Sequence, residues 1–541
     1  MKLNRIYSVI LAGLATAACS SFDDIKPVSG TLLDEQLQKT YEVAPQRADA
    51  SFNGLFSPLG APLATSPDDD ERADDFAFIM NTICNDIEGA DVVIPDSGYN
   101  WFSSCCNYGS RNANYWNPYL RYATPYRQIA NCNTYIASFP EDAVDTAITF
   151  KVAQAKALRA FSYQHLVFAY QFNYQKDPSA PCVPLVTEKT TDFANNPRAS
   201  VEDVYALILE DLSYAIEHLE GYKRTSKMNI DKQTAFALRS RAHLAMGNWQ
   251  EAYDDADSAS IGYTPKSIKE VSTPTFYDIK EHDWIWGYDM VKSVAETFPY
   301  ATADSWLRSF SGDGYAAGAG QYFQINKILY DKIPSTDVRK GWWVDESLES
   351  PLLEGLTWEG KGDIANLKIE NVKEIFLPYT NVKFGMSTIG SVDNDNDFPF
   401  IRVDEMILTK AEALAHLNKT SEATQLLTDY VKTYRDPSYS VSAARNLIDE
   451  IWFQRRVELW GEGFYVYDMM RLQKPLVRFK DNAASTNWPA NYRFNIAADD
   501  DLLLLRFSQS ELNTNMAVVD NPPFIAPVTD QNPALRDGVT D

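Results

Sequence analysis

Toward its C-terminal end the chain reads RRVELWGEGFYVYDMMR, from Arg455 to Arg471. Glu458 and Glu462 stand at helical spacing, so on a continuous helix they would share one face. Paired carboxylates of this kind serve as general acid and base in glycoside hydrolysis. Arg455 is spaced to pair with Glu458 and hold it ionised, which removes it as an acid. Gly461 and Gly463 then end the helix and leave the two carboxylates on different elements. The segment reads as a structural brace, and no catalytic residue is assigned. A second acidic run, Asp393 to Asp397 with Asp404 at the twelfth position, has the outline of a calcium loop. Phe398 replaces the glycine needed for its sharp turn, and Pro399 disturbs the rest. It reads as a solvated loop, with no metal site and no cofactor. Glycine-rich phosphate loops and GxSxG are absent, and the five histidines form no His-x-x-x-His pair, so no motif supports a nucleotide, serine-hydrolase or catalytic zinc reading.

Binding chemistry has a candidate. Trp101, in the stretch YNWF, lies amid glycine and serine with no periodic reason to be core. A loop tryptophan presents a flat apolar face on which a sugar ring can lie. The loops that would carry such residues must be held by helices. Ser200 and Asp203 form a capping-box-like signal. Val201, Val204, Tyr205, Ile208, Leu212, Ala215, Ile216 and Leu219 then line one face, and Gly221 stops the helix. A second long helix is predicted over 146–171. Thr234 to Ser260 reads as two Ala-rich helices turning at Gly247, which resembles a tetratricopeptide unit. Glu405 to Tyr434 repeats that plan without the glycine. The two units start about 170 residues apart and are not expected to form a continuous solenoid. Residues 262–400, with tryptophans at 284, 286, 306, 342, 343 and 358, read as irregular with short strands. Phe52 to Asn114 likewise reads as loop-rich.

At 541 residues the chain can bury a large core, and length alone suggests two to four domains. The net charge of −25 repels nucleic acid and anionic lipid, so no phosphate-backbone partner is expected. Beyond residue 18 no stretch is long and apolar enough to span a bilayer. Residues 1–18 read as a targeting segment, with basic Lys2 and Arg5 before an apolar run. A short apolar run ending at Cys19 resembles a bacterial lipoprotein signal with Cys19 as the lipidated residue. Thr16 stands where that pattern prefers Leu, and an ordinary signal peptide cleaved nearby is the other reading. The following SSFDD resembles a surface-export signal of Bacteroidetes lipoproteins. Of the five further cysteines, none has zinc-site spacing, and adjacent Cys105 and Cys106 read as free thiols rather than a strained vicinal disulfide.

Several segments taken together resemble the SusD/RagB family, the surface nutrient-binding lipoproteins of Bacteroidetes. They are ALRAFSYQHLVFAYQFNY…PCVPLV (157–186), PRASVEDVYALILEDLSYAIEHL (197–219), STDVRKGWW (335–343), PFIRVDEMILTKAEAL (399–414) and RRVELWGEGFYVYDMMRL (455–472), with DVVIP…W…YRQIANCNTYI (91–136) in the N-terminal half. The resemblance runs in order over nearly the whole mature chain. It implies a mainly α, SusD-like fold in which tetratricopeptide-like helix pairs form a scaffold for long irregular insertions. Residues 19–541 are then a single domain, comprising an N-terminal half (19–225), a helix pair with insertion (226–300) and a C-terminal half (301–541). It further implies a non-enzymatic protein, lipid-anchored at the outer membrane and facing outward. Such a protein captures a glycan, or as an alternative a peptide, for a SusC-like TonB-dependent transporter. A secreted hydrolase is the remaining reading. In this resemblance Trp101 occupies the place of a stacking aromatic and Asn100 that of a hydrogen-bonding neighbour. Trp306 and Tyr315 are expected on the opposite wall.

Overall fold

The computed structural model describes residues 41, 45–63, 72–95, 101–139, 145–316, 322–354, 358–359, 368–369 and 376–541. The leader, Cys19 and Asn100 lie outside these residues. The described residues form one helical body: α1 (Ala77–Ile87), α2 (Ser103–Cys106), α3 (Trp116–Ala137), α4 (Thr146–Tyr170), α5 (Val201–His218), α6 (Lys232–Met246), α7 (Trp249–Ala259), α8 (Ala303–Trp306), α9 (Val403–His416), α10 (Thr420–Tyr434), α11 (Leu447–Glu458) and α12 (Tyr465–Arg471). Strands are short and paired in twos. Those used below are β1 (Val92–Val93), β2 (Trp284–Tyr288), β3 (Gln324–Ile325) and β4 (Phe398–Arg402), with β1 antiparallel to β3 and β2 antiparallel to β4.

Local sequence sets the helix ends. Asp145 caps α4 by accepting from Ala147 N at 2.8 Å. Ser200 and Asp203 close a full capping box on α5, and Asp231 accepts from Thr234 N at 2.9 Å to start α6. Gly247 ends α6 at φ +81°, a left-handed position that places Asn248 N on His243 O at 2.9 Å. The whole apolar face expected for α5, from Val201 to Leu219, is buried. Helices α6 and α7 carry small buried residues, Ala237, Ala242, Ala245, Ala252, Ala256 and Ala259, and Ser240 Oγ donates to Ala252 O at 2.8 Å across the pair, so the two axes approach closely.

Helices α3 to α7 pack each on the next, and α7 then packs on α9, which packs on α10 and α11. The two helix pairs therefore stack directly. The expectation that they would not form a continuous solenoid is corrected: the stack is continuous in space, although residues 260–402 interrupt it in sequence. Separation along the chain says nothing about adjacency when an insertion can loop out and return.

One more expectation needs correction. The stretch from Phe52 to Asn114 contains α1, a helix buried on every side. Its polar residues, Asn81, Thr82, Asn85 and Asp86, share one face at helical spacing, but that face is buried as well, so the helix has no side open to water. Five tryptophans of the irregular region are core residues. Trp284, Trp286, Trp306, Trp342 and Trp343 are all fully buried, packed between the insertion and the helical stack. Their Nε1 atoms partly explain how a loop-rich layer buries such rings: Trp286 donates to Met228 O and Trp342 to Val271 O, at 2.8 and 3.0 Å.

Candidate ligand-binding site

The carboxylates that invited a catalytic reading are spent on structure. Glu458 ends α11 and receives Arg435 through two bonds of 2.7 and 2.8 Å, with Arg402 at 3.2 Å and Arg339 at 3.4 Å. Burial pushes its carboxyl up, but the three guanidiniums outweigh burial and hold it well below the usual range. Glu462 sits in the following turn and accepts from Arg402 and from Lys383 Nζ, the latter at 2.7 Å. Its carboxyl is also lowered against burial by these cations, while burial pulls the Lys383 ammonium down to about 8. Neither glutamate can hold a proton for general acid catalysis near neutrality. The partner expected for Glu458 was wrong: Arg455 binds Asp468 (2.7 and 3.1 Å), and Arg456 binds Asp91 (2.8 and 2.6 Å) and Asp537 (2.6 Å). Asp91 is far away in sequence, directly before β1, and no local spacing rule could have paired it.

The acidic run is equally committed. Asp397 accepts from the backbone of Ile279 and Met290 at 2.8 Å each, and Asn396 gives two bonds to Asp304. Asp404 receives Arg435 and the Tyr430 hydroxyl. The expected solvated loop holds for exposed Asp393, whereas Asn396 and Asp397 staple insertion segments together. Among the described residues no group of three or more His, Cys, Asp or Glu is arranged to hold a metal ion.

The aromatics do converge. Trp101, half-buried just before α2, lies edge-on to Tyr315 with ring centroids 6.4 Å apart. Tyr315 is itself half-buried and lies edge-on to the exposed Tyr300, at 6.2 Å. Trp306 differs from expectation. At the end of α8 it is 1% exposed, so it offers no face to a ligand. It lies behind Tyr315, stacked at 4.7 Å, with Phe102 edge-on to its other side at 4.7 Å. Its Nε1 donates to Ala73 O at 2.7 Å and Tyr300 O at 3.1 Å, and Tyr315 N donates to Ser305 Oγ at 2.8 Å. Trp306 is thus the backing of the wall and Tyr315 its face.

Three participants were missed in the sequence. The Arg72 guanidinium lies over Trp101 at 4.8 Å and over Trp116 at 5.4 Å, bridging two indoles while it binds Asp74 at 2.9 Å. Trp116 and Tyr300 are 40% and 42% exposed, uncommon for large aromatics, and both adjoin this cluster. Arg72 stands in a run of aspartates, and Trp116 opens α3; neither belongs to a motif that the sequence reading singled out. The result is a surface of Trp101, Tyr315, Tyr300 and Trp116 with one fixed cation. Flat apolar rings flanked by polar atoms suit a ligand that is itself a ring with apolar faces and hydroxylated edges.

Comparison with known proteins gives a consistent picture. Residues 350–524 match the model of the SusD family, and residues 68–244 match a model described as starch-binding associating with outer membrane. A SusD-like protein of Bacteroides ovatus is 21% identical over 387 residues, covering 66% of this chain and 67% of that protein. Among solved structures, a SusD-like carbohydrate binding protein from Bacteroides vulgatus superposes with a TM-score of 0.68 at 24% identity, over 87% of this chain and 97% of that one. Surface glycan-binding protein A from Bacteroides thetaiotaomicron, solved in complex with laminarihexaose, superposes with a TM-score of 0.61 at 15% identity, over 88% and 99%.

Proposed function

The chain belongs to the SusD/RagB family, and from that premise we propose that it captures a glycan at the outer membrane and hands it to a SusC-like TonB-dependent transporter. The observation that carries the reading is the aromatic corner of Trp101 and Tyr315, extended by Tyr300 and Trp116 and backed by buried Trp306. Pyranose rings stack on such faces through their C–H groups, and a corner of two walls grips a bent oligosaccharide better than one plane does. The family consists of carbohydrate-binding proteins, and the matched description associates it with the outer membrane. Lipidation at Cys19, an outward-facing position and the transporter partner belong to the proposal. So does the absence of catalysis, which is supported by glutamates locked as anions in ion pairs.

Calorimetry on the full chain with a panel of oligosaccharides, laminarihexaose among them, tests this reading, with the same samples assayed for breakdown products. Saturable glycan binding without turnover is expected. Release of reducing ends, or binding to peptides alone, would overturn it.

A further inference from the structure

Beneath the Trp101 wall lie two cysteines whose contact serves no purpose in the binding reading. Cys84 is on α1 and Cys105 on α2, and their Sγ atoms are 3.5 Å apart. Both are fully buried. Asn117 holds them in register, with its Nδ2 donating to Cys84 Sγ at 3.5 Å and its Oδ1 accepting from Cys105 Sγ at 3.4 Å. Of the remaining thiols, Cys132 is beside Gln128 and Cys182 donates to Val167 O. Successive residues on a helix project about 100° apart, so Cys106 faces elsewhere when Cys105 faces Cys84.

We propose that Cys84 and Cys105 are a disulfide-forming pair that ties α2, and with it the Trp101 wall, to the core helix α1. The bond forms by thiol–disulfide exchange with a disulfide-bearing oxidant of the export compartment. One cysteine, as the thiolate, attacks the oxidant's disulfide and gives a mixed disulfide. The second cysteine's thiolate then attacks the first cysteine's sulfur, the bond from that sulfur to the oxidant breaks as the Cys84–Cys105 bond forms, and the oxidant leaves in its reduced thiol form carrying the two electrons and both protons. Burial raises the Cys105 thiol well above its ordinary range, so exchange belongs to the folding chain, before α2 docks. The closed loop contains Trp101 and β1. A cross-link there restricts the unfolded chain where the ligand wall must be rebuilt, and it pins that wall in the folded state. The cellular part of this inference rests on the export reading.

The test uses the full chain, reduced and denatured, then refolded in mixed oxidised and reduced glutathione. The product is denatured again in N-ethylmaleimide and mapped by peptide mass. The expected result is a Cys84–Cys105 cross-linked peptide, two hydrogens lighter than its parts and separated by reduction, with Cys106, Cys132 and Cys182 alkylated. Cys106→Ser should keep the cross-link, and Cys84→Ser should leave Cys105 alkylated. Alkylation of both Cys84 and Cys105 in the refolded chain, or a Cys105–Cys106 link, would overturn the proposal. Protein drawn from an exporting host and trapped the same way reports on export separately: a pair that closes on refolding but is reduced in the cell argues against the export reading. Neither arm involves a glycan.

Discussion

Arg402 grips Glu462 with two donors, Nε at 2.9 Å to one carboxylate oxygen and Nη2 at 2.8 Å to the other. The same guanidinium reaches Asp404 at 3.0 Å and Glu458 at 3.2 Å, and all four groups are buried. Arg402 ends β4 and leads into α9, whereas Glu462 follows α11. This ion network thus fastens the end of the insertion to the C-terminal brace. Charges withdrawn from water in this way contribute little net stability as a set, yet removing one member strands the others.

Glu462→Gln keeps the shape of the side chain and removes its charge, leaving Arg402 and Lys383 short of a partner. The expected cost is on the order of 3 kcal/mol of folding stability. Glycan affinity of the folded fraction should stay within about twofold of the original, because the bonds of Glu462 go to Arg402 and Lys383 and not to the aromatic cluster. Chemical denaturation and calorimetry on the same preparation check both. Lost affinity with unchanged stability would reverse the assignment of this residue to the scaffold.

Gly463→Ala probes the same turn from the backbone. Its φ is +84°, and a Cβ there would lie 2.4 Å from Thr82 Cγ2. Strain and overlap together should cost more than about 2 kcal/mol. Adding Thr82→Ser removes the offending methyl and should recover part of the loss in the unfolding midpoint. A double variant no better than the single one would show that the overlap is not the cause.

Trp101→Ala and Tyr315→Ala should each weaken glycan binding by about tenfold, with little change in the unfolding midpoint. Trp306→Phe should behave in the opposite sense. It forfeits the bonds to Ala73 and Tyr300, so thermal stability falls, while affinity changes less than in either alanine variant. Comparing the three by calorimetry and thermal melts separates wall from backing.

Asp86 gives the molecule a pH dependence whose sign can be fixed. Its carboxylate accepts from Gly463 N at 2.8 Å and Tyr465 N at 3.2 Å, but burial dominates and pushes its pKa up to about 7. Unfolded, it titrates near 3.8. Between those values the folded state holds a proton that the unfolded state has released, so the stability Asp86 contributes is complete below about 4 and is lost as pH rises through 7. Asp86→Asn removes this dependence. The stability of the original chain relative to the variant should therefore decline from pH 4 to pH 8, as followed by denaturant melts at each pH. A difference that stays flat or grows would contradict the assignment.

What could be read in the sequence was local. Ser200, Asp203 and the face from Val201 to Leu219 announced a helix because capping and periodicity act over a few residues. Tyr315 and Trp101 were nominated separately and meet in space. Trp306 was misplaced because Gly- and Ser-rich surroundings signal irregular backbone, and irregular backbone can still be core. Arg72 and Asp91 could not have been found, since their partners, Trp116 and Arg456, are chosen by tertiary packing. The complete burial of α1 was invisible because its polar stripe, Asn81, Thr82, Asn85 and Asp86, is covered by partners far along the chain, such as Gly463 and Tyr465 on Asp86.

The stacking of α7 on α9 also bears on how the protein is made. Residues 260–402 separate the two, so their contact closes a long loop, one of the slower kinds of step available to a folding chain. The run from α3 to α7 can assemble from near neighbours soon after it is free to fold. It then waits with the receiving face of α7 uncovered until the insertion has condensed and brought α9 into reach. A chain caught in that interval would present the uncovered face of α7 as a sticky edge, so the order of assembly bears on yield alongside the final stability.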